Sequence, residues 1–230
     1  MTPTFEVTSQ TNLPQPTPPD ISDLVIEDDQ PVDSLYSEKL QRLLTNALYA
    51  SFKPGIPFLV TANVGLFYAL KTNPLVPDVM LSLGVSAPTN FECREDRTYF
   101  VWEMGKPPEV AIEIVSNRKG HELGSKLTAY AHAGVSYYVV YDPLVQLKEL
   151  QGSRLAIFER QGSHFVPYDS TWMPDVGLGL TLWQGSFEGV TVEWLRWCDQ
   201  EGKILLTGEE RSEQLLELLR AHGITPPESC

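Results

Sequence analysis

The sequence predicts a mixed α/β domain of the α+β kind: a core ordered helix, three strands, helix, strand, then a C-terminal β extension and a terminal helix. Three observations carry this. Tyr36, Leu40, Leu43, Leu44 and Ala47 recur at the spacing of one helical face. Apolar runs of strand character follow at 58–62, 78–82 and 110–116. A helical stretch then closes on Gly134, directly before the apolar run 137–141.

In chain order, residues 1–32 are rich in Pro, Thr, Gln and Asp, a composition that does not offset the entropy of ordering, and are expected to form an acidic arm. The helix over 34–50 buries its apolar stripe on a sheet, and Glu38 projects away from that stripe, outside any site. Strands are expected at 58–62, 64–69, 78–82 and 99–102, with 84–97 as a loop able to rim a site. The run 110–116 reads as a strand covered on both faces, with Glu113 at its centre. A helix over about 121–133 ends at Gly134, suited to a left-handed cap, and the buried strand 137–141 follows, which implies a right-handed parallel crossover.

Beyond residue 150, runs at 155–159, 164–168 and 178–183 read as short strands of the β extension. Thr207-Gly-Glu-Glu210 is a capping box opening a helix that carries Leu215, Leu216, Leu218 and Leu219 and stops at Gly223. The expected organisation is an arm over 1–32, a domain over 33–200, and a hairpin and helix over 201–230. The leucine stripe either packs on the core or pairs the chain into a homodimer.

Composition narrows the function. The chain has 230 residues, 42% hydrophobic, with five Trp, enough for a sizeable core. No apolar stretch reaches the roughly 18–20 residues of a membrane span, and the N-terminus lacks the features of a signal peptide. Cys93, Cys198 and Cys230 are widely spaced and suggest no disulfide framework, so a cytoplasmic setting without a membrane partner is expected. His121, His132, His164 and His222 show no zinc-ligand spacing. Neither a phosphate loop nor a dinucleotide fingerprint is present, so ATP or NAD dependence is not expected. Thirty acidic against 17 basic residues give a net charge of −13. Seven of the acids, and no base, fall within residues 1–35, which leaves −6 elsewhere. That balance weighs against tight duplex binding, which draws on Lys and Arg.

The chemistry centres on Glu113, because an ionised carboxylate within a buried strand needs a partner or a metal. If a helix beginning near His121 folds back on that strand, Glu113 lies about 10 Å back at ~3.3 Å per residue. Lys126 lies about 7.5 Å down the helix at ~1.5 Å per residue, level with it, and Tyr130 is one turn further on the same face. Asp78 follows Pro77 at the head of another apolar run. Pro174-Asp175 repeats that dipeptide without a Glu-bearing strand after it and reads as an ordinary turn. Plainer roles stand beside these: a turn for Asp78, a structural ion pair for Glu113, packing for Tyr130, and for Lys126 a surface pair with Glu122.

Pro77-Asp78, Glu113-Ile-Val-Ser116, Lys126-x-x-x-Tyr130 and Gly134-Val-Ser-Tyr-Tyr-Val-Val-Tyr-Asp-Pro143 together make residues 76–143 resemble the restriction-endonuclease-like PD-(D/E)xK superfamily, and within it the Uma-type nucleases. The resemblance implies that Asp78, Glu113 and the backbone carbonyl of Ile114 bind Mg²⁺ or Mn²⁺. It further implies that Lys126 positions a water or supports negative charge, with Tyr130 in support, and that nucleic acid, DNA ahead of RNA, is the substrate. One departure is Val115, where the superfamily's strand-borne lysine would fall, so Lys126 from the helix must substitute. Another is Glu122, where an aspartate is more usual. The expectation is a Mg²⁺-dependent endonuclease hydrolysing phosphodiester bonds. The alternative is a catalytically inactive interaction protein that kept the fold, suggested by Val115, the acidic balance and the leucine-bearing tail.

Overall fold

The computed structural model describes residues 34–116 and 121–224, so the expected arm over 1–32 lies outside the described residues. The Ser34 hydroxyl accepts the Ser37 N–H at 3.0 Å and caps α1 (Leu35–Ser51). Leu40, Leu43, Leu44 and Leu48 on its inner face are fully buried, as the periodicity required. Glu38 lies on the outer side and pairs with Arg42.

The central sheet has six strands: β1 (Phe58–Ala62), β3 (Val79–Leu83), β5 (Val110–Ile114), β6 (Tyr137–Tyr141), β7 (Leu155–Gln161) and β8 (His164–Pro167), side by side in that order. Within this sheet only the neighbours β5 and β6 run parallel, and the helix α3 (Leu127–Ala133) lies between them in sequence as the crossover. Period-two alternation divides β5 between two cores. Val110, Ile112 and Ile114 join α1 and the hairpin of β10 (Leu178–Phe187) and β11 (Val190–Cys198) on one face. Ala111 and Val115 join Tyr130, Ala131 and Tyr138 on the other. Glu113 therefore faces α3. The last turn of α3 closes on Gly134 at φ +87°, the left-handed cap expected there.

Several expected elements differ. The strand expected at 64–69 shrinks to β2 (Leu66–Phe67). Leu66 bridges back to Leu75, and β2 pairs in parallel with β4 (Tyr99–Phe100), so Phe67 and Phe100 form a small separate aromatic cluster. The strand expected at 99–102 ends at Phe100, because Val101–Met104 turns as the short helix α2 and stops at Gly105, φ +80°. The helix expected from 121 starts instead with a π-helical turn, Glu122–Lys126, in which Gly124 (φ −119°, ψ −111°) departs from helical geometry. β7 bonds onto β6 and β8 onto β7, so both extend the main sheet instead of standing apart. The separate sheet is β9 (Trp172–Met173), β10 and β11. β11 lies outside the expected strands, because its residues Trp194–Cys198 are buried in succession, which erases the alternation that marks a strand.

The terminal helix α4 (Gly208–Ala221) opens on the expected capping box, with Thr207 and Glu210 bonded reciprocally. Buried Arg196 fastens it: its guanidinium bonds Glu210 (2.7 and 2.8 Å) and the Leu205 carbonyl (2.7 Å), and lies over the Trp183 ring. No residue of α4 is wholly buried: Leu215 and Leu218 are more than half exposed, while Leu216 and Leu219 are half-buried. No helix of the described residues is long and apolar enough to cross a membrane.

Candidate functional site

β3 runs antiparallel to β5, so Asp78, immediately before β3, arrives beside the C-terminal end of β5. There the Ile114 N–H donates to Asp78 Oδ2 at 2.6 Å, a carboxylate standing where a further backbone rung would have come. From the other face Gln41 of α1 donates its Nε2 to Asp78 Oδ1 at 2.9 Å. Gln41 is itself held by Asn63, whose Nδ2 donates to Gln41 Oε1 at 3.0 Å. Asp78 is thus fixed by groups from a strand, a helix and a loop.

Glu113 is 3% exposed. Its Oε1 accepts the Tyr130 hydroxyl at 2.6 Å and its Oε2 accepts Lys126 Nζ at 2.9 Å. Burial pushes its carboxyl up to about 7; the Lys126 charge opposes this, the Asp78 charge reinforces it, and the two hydrogen bonds oppose it. The two acids thus differ in character, one braced by donors from two elements at the head of β3 and one enclosed.

Lys126 closes the π-helical turn, and its ammonium lies at the boundary between core and solvent. Burial disfavours its charge, but Glu113, Glu122 and Asp78 outweigh burial and hold its pKa above the ordinary lysine value. Glu122 is 4% exposed, with Oε1 3.7 Å from Lys126 Nζ. Among the described residues its Oε2 has no hydrogen-bond partner. The Glu122 carbonyl accepts the Tyr138 hydroxyl at 3.0 Å, and the Tyr138 ring stacks on Tyr130 at 5.0 Å. Burial and the nearby Glu113 charge hold the Tyr130 phenol well above its ordinary value, so it stays a donor.

The structure brings Asp78, Glu113, Lys126 and Tyr130 together around the end of β5, where the Ile114 carbonyl also lies. Asp175 is exposed on the loop before β10, in keeping with a turn role. Val115, at the position of the absent strand lysine, is buried in the core on the α3 side. Tyr130 proves more than a packing residue, since it bonds Glu113 directly. The pair considered for Lys126 and Glu122 is present at 3.7 Å, but it is not a surface pair, because Glu122 is buried under the turn. Two polar supports went unread, Gln41 and Asn63. A signal existed for Gln41, a polar side chain one residue after Leu40 on the helical face that packs inward. Among the described residues no group of three or more His, Cys, Asp or Glu side chains is gathered to hold a metal. A cation here would rest on two carboxylates, a backbone oxygen and water, which suits the hard divalent ions.

The model of one protein family, Uma2, described as "Putative restriction endonuclease", matches residues 25–188. No curated protein matches the chain. Among solved structures, similarity is found to the crystal structure of a "putative nuclease" from Anabaena variabilis ATCC 29413. That protein is 13% identical, with 61% of this chain and 71% of that chain covered and a TM-score of 0.43.

Proposed function

The chain belongs to the Uma2 family, and from that membership we propose that it is a Mg²⁺- or Mn²⁺-dependent endonuclease that hydrolyses phosphodiester bonds, with DNA as its substrate. One observation carries the reading furthest. The 2.9 Å contact of Lys126 Nζ with Glu113 Oε2 delivers an amine to the acid from the turn before α3, although β5 continues into Val115 and supplies none.

The residues fit a hard cation. Asp78 and Glu113 offer oxygen donors, and each oxygen named above keeps a lone pair beyond its hydrogen bond. In extended backbone the N–H and C=O of one residue lie on the same edge, so the Ile114 carbonyl shares the edge on which its N–H meets Asp78. The cation, when bound, acidifies a coordinated water and offsets phosphate charge. Asp78, Glu113 and the Ile114 carbonyl would hold it. Tyr130 fixes the orientation of Glu113, while Gln41 fixes that of Asp78. The Lys126 ammonium donates a hydrogen bond to the attacking water or to a phosphate oxygen, where negative charge grows along the reaction.

Incubation of supercoiled plasmid, and in parallel single-stranded RNA, with the protein and Mg²⁺ tests this. Metal-dependent nicking of the plasmid that is lost in Asp78→Asn and Glu113→Gln is the expected result. A wild-type protein that neither cleaves nor binds Mn²⁺ by calorimetry would leave the alternative, an interaction protein that kept the fold.

A further inference from the structure

Glu113 Oε2 has two claimants: the Lys126 ammonium, which holds it at 2.9 Å, and any divalent cation that uses Glu113 as a ligand. Two positive groups sharing one buried oxygen repel, so the arriving cation weakens the ammonium's hold on Glu113 and pushes it toward its other carboxylate neighbour. Resting on the metal reading above, we propose that Glu122 is a positioning residue that receives Lys126 at that moment and keeps its amine inside the site.

The geometry is ready for this exchange. Glu122 Oε1 is 3.7 Å from Nζ, beyond hydrogen-bond length, and a shift of about an ångström brings it within the usual 2.7–3.2 Å. Its Oε2 is buried without a partner among the described residues, and a buried carboxylate oxygen left so is costly unless a donor comes to it. The receiver is also aligned with the giver. Tyr138 holds the Glu122 backbone carbonyl and stacks on Tyr130, which holds the other oxygen of Glu113, so one pair of rings braces both the turn that carries Glu122 and the Glu113 carboxylate. Without Glu122 the displaced ammonium either stays on Glu113, against the cation, or turns out to solvent.

The test is Mn²⁺ affinity by calorimetry at one pH, for wild type, Glu122→Gln, Lys126→Met and the double variant, with circular dichroism confirming that each is folded. Binding about tenfold weaker in Glu122→Gln, as is typical when a group supporting a ligand is lost, and no such loss when Lys126 is already methionine, is the expected pattern. Wild-type affinity in Glu122→Gln overturns the inference. So does an equal loss in both backgrounds, because Glu122 would then act on the cation by charge alone. Failure of wild type to bind Mn²⁺ removes the metal reading itself, and the inference with it. Glu122→Met, of matching length, repeats the comparison should Glu122→Gln not fold.

Discussion

The Tyr130 hydroxyl donates to Glu113 Oε1 at 2.6 Å, from α3 to a strand, and both residues are almost wholly enclosed. The bond leaves Glu113 one oxygen for the opposite side of the site. Tyr130→Phe should therefore cost about 1–3 kcal/mol of stability at pH 8, the penalty of a buried acceptor left without its donor. Urea unfolding measures it. The loss should shrink at pH 5.5, where Glu113 carries its own proton.

Lys126→Met should lower the cleavage rate about 10²–10³-fold at saturating Mg²⁺, the usual cost of removing one donor from a developing negative charge. Single-turnover plasmid nicking reads this, and a rate within a factor of a few of wild type would refute a direct role for the amine.

Metal affinity should depend on pH through Glu113. Its carboxyl is raised to about 7 by burial, so below that value a proton competes with the cation. Mn²⁺ affinity should rise as pH climbs from 5.5 to 7 and level off above it. The same shift works against the fold in the opposite direction. The native state holds a proton that the unfolded chain releases near its ordinary value of 4.5, so this group's contribution to stability is complete below 4.5 and is lost as pH rises through 7. Calorimetry and urea unfolding across that range check the two signs.

Gln41→Leu keeps the bulk of the α1 face but frees Asp78 Oδ1 of its donor. Mn²⁺ binding should weaken about tenfold with the fold intact. Calorimetry alongside far-ultraviolet circular dichroism distinguishes this from unfolding.

Glu210→Ala leaves the wholly buried Arg196 guanidinium without its carboxylate, and about 3–5 kcal/mol of stability should go with it. Removing Leu215 and Leu218 together should cost far less, since α4 buries none of its own side chains. Urea midpoints compare the two directly.

The sequence shows the site more clearly than the frame around it, for physical reasons. Glu113 stands out because a carboxylate among Val110, Ile112 and Ile114 contradicts its surroundings, and helical rise alone places Lys126 level with it. Gln41 and Asn63 have no such local contradiction, and their link to Asp78 exists only once α1 is laid across the sheet. Leu123, Leu127 and Tyr130 keep a helical rhythm through Gly124, so the π-helical turn was hidden by the pattern on either side. β11 escapes for the opposite reason: Trp194–Cys198, a buried arginine among them, are enclosed in succession and show no alternation.

Glu113 sits on a strand, whereas Lys126 sits on the turn that leads into α3. The acid and the amine thus belong to separately docked pieces, and their meeting depends on a helix of seven residues staying down on the sheet. Any transient lifting of that short helix dismantles the constellation while the rest of the domain stays folded. Heat or mild denaturant should then silence the protein well before its main unfolding transition, and a ligand that clamps the lysine in place would guard activity more than it raises the melting point.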